Sequence, residues 1–258
     1  MLAFSNFNKV AATKKSHQAF VNHFKGQPAF SKQDIFDFYL SQGKKLSDAA
    51  LRWRIHDLKN AGIIKSVATA VYAIAEKPVF IPNPDAFMEN TVALFNQKYA
   101  GLNFCVWNTN ILHGFMIHQP VNSFYVFETD RDITESVFYH FKAQNLHVFN
   151  NPSLQMMDDY VLGSEDAVVL KPLVSRAPIK KEGKFVFPSL EKILVDVFCD
   201  QHQLYVYGGH EMIVIFENAF NSYHINPGSM YSYAERRGKK RLLIEFMEEN
   251  VKHEMIEK

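Results

Sequence analysis

The sequence predicts a mixed α/β protein, in which a winged helix-turn-helix at residues 1–80 precedes a larger α/β (α+β) domain at residues 81–258. Two patterns indicate this: capped helices followed by a short hairpin, then alternating strand-like and helix-like segments. The charge divides at the same place, because residues 1–80 carry 12 Lys+Arg against 5 Asp+Glu, a net of +7. Residues 81–258 carry 16 Lys+Arg against 22 Asp+Glu, so the total of +1 conceals two oppositely charged parts.

The N-terminal part begins with two predicted helices. The first covers residues 16–25 and is ended by Gly26 and Pro28. The second starts at Ser31, where Ser-Lys-Gln-Asp resembles a capping box closed by Asp34, and it ends before Gly43. Both carry apolar residues at helical spacing: Phe20, Val21 and Phe24 in the first, and Ile35, Phe38 and Tyr39 in the second.

A third predicted helix carries the residues of greatest functional interest. Ser47 caps its start and Gly62 ends it. Apolar residues share one face, which we expect to be buried: Leu51, Ile55 and Leu58. The opposite face carries small, cationic, aromatic and amide side chains: Ala49, Arg52, Trp53, His56 and Asn60. Lys59 lies at the edge of this face. Arg54 points sideways, toward the edge of the core.

Two β-prone runs at residues 63–65 and 71–74 follow this helix, and Ser66–Ala70 form a short wing between them. A basic helical module with such a wing is typical of a duplex DNA reader, since a helix fits the major groove. A module that docks another protein is the alternative. The predicted DNA contacts are Lys44, Lys45, Ser47, Ala49, Arg52, Trp53, His56, Lys59, Asn60, Lys65 and Thr69.

The larger part alternates between strand-like and helix-like segments. Prolines punctuate residues 76–85, and Asp85 then caps a helix that contains Val92, Phe95 and Tyr99. Strands are predicted at residues 103–107, 123–128, 146–149, 167–170 and 185–187. Helices are predicted at residues 109–118, 134–144 and 189–200, the last capped by Ser189, and through most of the final 50 residues.

Composition indicates the compartment in which the protein is found. Its 23 phenylalanines favour an aromatic core over disorder, and two distant cysteines suit a reducing compartment. The first 16 residues lack the apolar core of a signal peptide, and no apolar run approaches the roughly 20 residues of a membrane span. We therefore expect a cytoplasmic protein without a membrane partner.

Acidic residues after one apolar strand raise the question of catalysis. Glu128, Asp130 and Asp132 follow this strand, where a Mg²⁺ site of a DNA-targeted nuclease could form. The lysine that restriction-type nucleases carry two residues after a carboxylate is missing. The favoured interpretation is that these acids cap the helix starting near Thr134. With neither a Gly-rich phosphate loop nor a nucleophile elbow, we expect no enzyme activity, no cofactor and no metal ion.

Three segments resemble the AbiEi antitoxin family. They are AGIIKSVATAVYAI at residues 61–74, VVLKPLVSRAPI with FPSLEKILVDVF at residues 168–179 and 187–198, and YAERRGKKRLL at residues 233–243. In the first, Ala70 stands where the family usually has a glycine. The second matches the family's helix start at Pro188, Ser189, Glu191, Lys192, Leu194 and Asp196. The third is similar to the family's Tyr-Ala-x-Arg-Arg-Gly segment.

The resemblance implies a transcriptional autorepressor that binds inverted repeats at its own promoter. It also implies that residues 81–258 counteract a nucleotidyltransferase toxin encoded by the adjoining gene. A ligand-sensing winged-helix transcription factor without a toxin partner is the principal alternative, ahead of the nuclease. A basic cluster lies near the C-terminus: Arg236, Arg237, Lys239, Lys240 and Arg241. It could be a solvated helix face, a second phosphate contact, or a surface that faces the toxin or RNA.

Overall fold

The computed structural model describes residues 17, 19–44, 46–75 and 77–251, and it has the mixed α/β fold that the sequence predicts. The chain forms two compact units. Met1–Val79 with Ser222–His224 make the first, and Phe80–Asn221 with Ile225–Lys258 make the second. Among the described residues, no helix is both long enough and apolar enough to cross a membrane.

Three helices form most of the first unit. Helix α1 includes residues 19–24, α2 is Lys32–Ser41 and α3 is Asp48–Asn60. The capping box predicted for α2 is confirmed, because the Ser31 hydroxyl accepts from the Asp34 N–H and the Asp34 carboxylate accepts from the Ser31 N–H at 2.7 Å. The predicted Ser47 cap of α3 is also confirmed, since its hydroxyl accepts the Ala50 N–H at 3.2 Å.

Helix α3 ends in a left-handed turn at Gly62, whose φ is +59°. The Ile63 N–H donates to the Leu58 carbonyl and the Gly62 N–H to the Lys59 carbonyl, both at 2.9 Å, which is the Schellman arrangement. A Cβ on Gly62 would lie 1.9 Å from a methyl carbon of Val79. Glycine is therefore required here for its backbone conformation and for its size.

A small antiparallel sheet completes the first unit. Its strands are β1 (Phe30–Ser31), β2 (Ile64–Ala68) and β3 (Val71–Ile74), in the order β1-β3-β2. The five-residue loop predicted between the last two strands is shorter in the structure, because β2 continues to Ala68 through a bulge and only Thr69 and Ala70 make the turn. Ala70 adopts φ +58°, which lets two residues reverse the chain.

The apolar stripes of the three helices meet in one core, as the sequence predicts. Leu51, Ile55 and Leu58 of α3 are all buried. Phenylalanines from α1, β1 and α2 pack around them: Phe20, Phe24, Phe30 and Phe38. The rings of Phe24 and Phe30 are stacked, with centroids 4.1 Å apart. Each buried Phe side chain contributes about 1.5–3 kcal/mol by leaving water, so this cluster stabilises the small unit.

The second unit contains seven α-helices and six strands among the described residues. They are α4 (Ala86–Tyr99), β4 (Phe104–Asn108), β5 (Tyr125–Thr129), α5 (Thr134–Ala143), β6 (Val148–Asn150), α6 (Leu154–Met156), β7 (Val168–Pro172), β8 (Ile179–Glu182), β9 (Phe185–Pro188), α7 (Leu190–Cys199), α8 (Gly209–Ser222), α9 (Pro227–Arg236) and α10 (Lys240–Asn250).

The strands form a four-stranded sheet of order β4-β5-β7-β6 and a separate hairpin, β8-β9. Strand β5 is antiparallel to β4 and parallel to β7, which is parallel to β6.

The two faces of this sheet differ in chemistry. All residues of β4 and β5 are buried, as expected for a sheet covered on both faces. One face packs Phe104, Phe127 and Leu170 against aromatic and aliphatic residues of α4, α5 and β9. The residues that alternate with them include Glu128 and Lys171, so the opposite face carries charge.

Several predicted elements differ in detail. The predicted helix at residues 109–118 is a 3-10 helix, Thr109–Phe115, whose start is fixed by the Asn108 side chain accepting the Asn110 N–H. Strand β8 and helix α6, which runs into a π-helix at Met157–Val161, were not predicted. The predicted caps Asp85 and Ser189 are confirmed, since their side chains accept the N–H groups of Met88 and Lys192.

Candidate functional site

The face of α3 opposite its buried stripe is open to solvent. Trp53 is 61% exposed, although indole rings are usually buried. The other predicted contacts of α3 whose side chains are described are exposed as well: Ala49, Arg52, His56 and Lys59. Lys45 and the side chain of Asn60 lie outside the described residues.

The remaining predicted contacts flank α3. Lys44 and Ser47 are exposed before its start, Thr69 is exposed in the β2–β3 turn, and Lys65 is partly buried in β2. The Arg54 guanidinium lies 5.7 Å from the Tyr39 ring centroid and 5.8 Å from that of Trp53. Such cation–π contacts hold Arg54 against the helix surface.

One acidic residue constrains this basic surface. The Asp48 carboxylate binds the Lys32 ammonium at 2.5 Å and also accepts a hydrogen bond from the Arg52 guanidinium. Hydrogen bonds from Lys32 and Arg52 lower the pKa of Asp48. Because Arg52 and Asp48 are exposed, replacing Asp48 by another anion at Arg52 costs little free energy. A pocket of about 490 Å³ lies beside them, lined by Ser31, Lys32, Gln33, Phe36, Asp48, Leu51 and Ala70.

The second unit contains six acidic and basic side chains linked by ion pairs, here called the ionic cluster. It has three carboxylates and three cations and therefore no net formal charge: Glu128, Asp196, Asp200, Lys171, Lys192 and Arg237. Glu128 and Lys171 are in register near the carboxyl ends of the parallel strands β5 and β7. In α/β folds, this edge of the sheet commonly carries the functional site.

Lys192 lies at the centre of the ionic cluster and is fully buried. Its Nζ is 2.5 Å from a Glu128 oxygen and 2.5 Å from an Asp196 oxygen one helical turn away. Burial alone would lower the pKa of Lys192, but Asp196 and Glu128 outweigh it, and the pKa is raised well above its ordinary value. Lys192 is therefore a permanent cation and cannot act as a nucleophile or a base at neutral pH.

Asp200 forms the outer side of the ionic cluster. The Lys171 Nζ lies 2.7 Å from one Asp200 oxygen, and the Arg237 guanidinium donates to the other. Arg237 also donates to Asp196 at 2.6 Å. Burial would raise the pKa of Asp200, but Lys171 and Arg237 outweigh it and lower the pKa. Every charge in this part of the cluster is thus compensated at hydrogen-bond distance.

The ionic cluster joins helix α7 to helix α9. Tyr233 donates its hydroxyl proton to Asp196 at 2.8 Å, and burial together with Asp196 raises the pKa of Tyr233. At the start of α9, the Asn226 N–H donates to the Glu191 carboxylate at 2.8 Å. Residues 188–196 and 233–238 therefore contact each other through Asp196, Tyr233 and Arg237. Gly238, with φ +66°, lets the chain leave α9.

The interpretation of the acids after β5 is wrong for two of them. Glu128 does not cap a helix: it is buried between Lys192 and Lys171, which lie 64 and 43 residues later in the chain. Asp130 makes no side-chain cap either, because its carboxylate accepts from the backbone N–H and side-chain amide of Asn103. Among the described residues, no group of three His, Cys, Asp or Glu side chains is placed to hold a metal ion.

The C-terminal basic cluster is also divided by the structure. Arg237 points into the ionic cluster, where it pairs with Asp196 and Asp200, and so does not belong to an exposed patch. A left-handed turn at Gly238 follows it and precedes the other cations. Arg236 and Lys239 are exposed. Lys240 and Arg241 lie near carboxylates of their own surface, at 3.5 Å from Glu235 and 2.9 Å from Glu245.

Sequence reasoning missed Lys171, Asp200 and Tyr233 as members or partners of the ionic cluster. One signal was present: Lys171 follows three apolar residues in a β-prone run, and Asp196 lies inside an apolar helix. A charge inside an apolar element indicates a buried partner. It does not say which distant residue supplies that partner.

The comparison with known families covers both candidate regions. Residues 50–253 match a family of unknown function, DUF6577. The chain belongs to this family. The DUF6577 match includes most of α3, the β2–β3 hairpin and the whole ionic cluster, so these features lie within the family's region. No curated protein matches the sequence.

Proposed function

We propose that this protein is a DNA-binding transcriptional autorepressor and the antitoxin of a toxin–antitoxin pair, which counteracts a nucleotidyltransferase toxin. The observation that carries the DNA-binding part is the exposed face of α3, where Arg52, Trp53, His56 and Lys59 share one surface. This face belongs to a part of the chain with net charge +7. Arginine and aromatic side chains on an open helix suit base edges in a major groove.

The elements around α3 support a winged helix-turn-helix interpretation. Helices α2 and α3 precede the antiparallel β2–β3 hairpin, which would form the wing. With α3 in the major groove, Lys44 before the helix and Thr69 at the hairpin turn could contact phosphates on either side. The AbiEi resemblance supplies the proposed DNA target, inverted repeats at the protein's own promoter.

Substitutions on α3 test the DNA-binding part in the full chain. Arg52→Ala with His56→Ala should weaken binding to promoter DNA by a few kcal/mol, because good base contacts contribute about 1–3 kcal/mol each. Lys44→Ala with Lys65→Ala should weaken binding to all duplexes alike and reduce the salt dependence. Fluorescence anisotropy with promoter and scrambled duplexes at several salt concentrations measures both, with Arg131→Ala as the control. Equal affinity of wild type and the Arg52/His56 variant would rule out this face.

The antitoxin part is supported by the convergence of the AbiEi-like segments. Lys192 and Asp196 lie in one segment of that resemblance and Tyr233 and Arg237 in another, and Asp196 contacts the other three. Growth of cells that express the adjoining nucleotidyltransferase gene is the direct test. Co-expression of the full chain should restore growth, and absence of such a gene, or of rescue, would refute this part.

We do not propose nuclease activity, because Glu128 is bound by two lysines. Lys171 and Lys192 neutralise the carboxylate that a Mg²⁺ ion would need, and both pKa values are raised, so both lysines stay charged. Purified protein should leave DNA and RNA intact in the presence of Mg²⁺ or Mn²⁺. Metal-dependent cleavage that is lost on Glu128→Gln would contradict this.

A further inference from the structure

Arg52 lies in the part of α3 from which a helix in the major groove reads bases. It is the fifth of the 13 residues of α3, and helix-turn-helix proteins contact base edges with the N-terminal part of this helix. The Arg52 side chain is 72% exposed. Ala49, one turn earlier on the same face, is also exposed, and its small side chain leaves room for the edge of a base pair beside the guanidinium.

The guanidinium of Arg52 belongs to a network that begins on α2. The Asp48 carboxylate accepts a hydrogen bond from the Arg52 Nη2 with its Oδ2 atom, and one from the Lys32 Nζ with its Oδ1 atom at 2.5 Å. The Lys32 backbone N–H donates to the Ala70 carbonyl at 3.0 Å, which joins the start of α2 to the β2–β3 turn. Each oxygen of Asp48 therefore holds a different cation, and the direction of Arg52 depends on α2 as well as on α3.

This network reduces the cost of recognition by Arg52. An exposed arginine loses rotamer entropy when a contact with a ligand fixes its side chain. Asp48 already restricts the Arg52 side chain in the free protein, so less entropy is lost when Arg52 binds. A side chain that is oriented beforehand contributes more of its contact energy to affinity.

The chemistry around Arg52 favours guanine among the acceptors of duplex DNA. Guanine presents two acceptors in the major groove, O6 and N7, and a guanidinium binds both with two N–H bonds. Arginine has five N–H donors, so a hydrogen bond to Asp48 leaves enough of them for the base. O6 and N7 are uncharged, so Asp48 can keep its bond to Arg52 while guanine binds. A phosphate would have to displace Asp48 or lie next to its negative charge, which repels it.

We propose that Arg52 reads a guanine base in the major groove, and that Asp48, which is itself held by Lys32, is the positioning residue for Arg52. This inference rests on the proposed DNA-binding function and extends it from duplex DNA to one base. Removal of the Asp48 carboxylate then has two opposite effects. The loss of a negative charge strengthens binding to duplexes of any sequence, whereas the loss of orientation weakens the preference for guanine.

Selection of duplexes from a random-sequence pool by the full chain, followed by fluorescence anisotropy, tests the role of Arg52. Replacement of the conserved guanine by 7-deazaguanine, which lacks the N7 acceptor, should weaken binding of wild type at least fivefold. Arg52→Lys keeps the charge but lacks the planar two-donor fork. It should bind random duplexes as wild type does and discriminate less than twofold between guanine and 7-deazaguanine. A guanine preference that persists in Arg52→Lys would overturn the proposal.

Asp48→Ala tests the positioning role. It should reduce the guanine preference at least threefold, while affinity for random duplexes stays equal or rises. Glu245→Ala is the matched control, because Glu245 forms an exposed ion pair with Arg241 one helical turn away, at 2.9 Å, and its removal also deletes one negative charge. Asp48→Ala added to Arg52→Lys should change the preference no further, since Asp48 acts through Arg52.

The outcomes separate this inference from the proposed function. Circular dichroism first shows whether each variant is folded. A folded Asp48→Ala protein that binds all duplexes more weakly by one common factor would show that Asp48 has only a structural role, and would overturn the positioning role. If wild type binds duplex DNA but selects no guanine, the inference fails and the DNA-binding function stands. If wild type binds no duplex at any salt concentration, both fail.

Discussion

Lys192 shows how one residue depends on the whole second unit. A buried ammonium is costly by itself, yet here two carboxylates lie at 2.5 Å and its pKa is raised. Removal of the cation leaves Glu128 and Asp196 buried with fewer partners. The expected loss of stability therefore comes mainly from the two buried carboxylates, which keep their negative charge without the cation.

We predict that Lys192→Met lowers the free energy of unfolding of the second unit by about 3–5 kcal/mol. Urea unfolding in a Trp53→Phe background measures this, because Trp107, buried in the second unit, is then the only tryptophan. Lys240→Met is the control: its exposed ion pair with Glu235 should contribute less than about 1 kcal/mol. Similar losses in the two variants would show that the ionic cluster contributes no more than a surface pair.

The ion pairs of Asp200 lead to a prediction about how stability depends on pH. Its pKa in the folded protein is lowered from the ordinary 3.8, so its stabilising contribution is present above 3.8 and is lost as the pH falls further. Once protonated, Asp200 resembles the neutral Asn of an Asp200→Asn variant. The difference in unfolding free energy between wild type and this variant should therefore be constant near neutral pH and shrink below 3.8. Urea unfolding at a series of pH values checks this, and a difference that grows on acidification would contradict the assigned ion pairs.

At the scale of elements, local signals were predictable and pairings were not. The caps Ser31, Ser47, Asp85 and Ser189 were predicted correctly because each acts within three residues of itself. The strand order β4-β5-β7-β6 and the ionic cluster depend on contacts between residues distant in sequence. The acids after β5 were misinterpreted for the same reason, since only the fold brings Lys192 to Glu128.

The β2–β3 turn gives a prediction at the element scale. Ala70 has φ +58°, a conformation that glycine adopts without strain, at the position where the AbiEi resemblance expects glycine. We predict that Ala70→Gly stabilises the hairpin by roughly 0.5–1 kcal/mol, whereas Ala68→Gly, in strand β2, destabilises it by a similar amount. Hydrogen exchange of the β2 and β3 amides measures both. Faster exchange in Ala70→Gly than in wild type would show that the turn is not strained.

At the scale of the whole molecule, the opposite charges of the two parts suit two different partners. Residues 1–80 carry +7 and an open cationic helix face, while residues 81–258 carry −6. A cationic surface attracts polyanionic DNA and an acidic surface repels it, so this division agrees with the proposal that only the first part binds DNA. The total charge of +1 indicates neither the basic nor the acidic part, so the charges of the two parts have to be counted separately.

This division predicts that the two proposed activities can be separated by mutation. Arg52→Ala with His56→Ala should relieve repression of the promoter while growth rescue persists, because these side chains are exposed on α3 in the first unit, whereas the ionic cluster lies in the second. A promoter–reporter strain and a toxin-expressing strain, each supplied with wild type and with this variant at matched protein levels, measure the two activities. Loss of growth rescue in the folded variant would show that one surface serves both proposed partners.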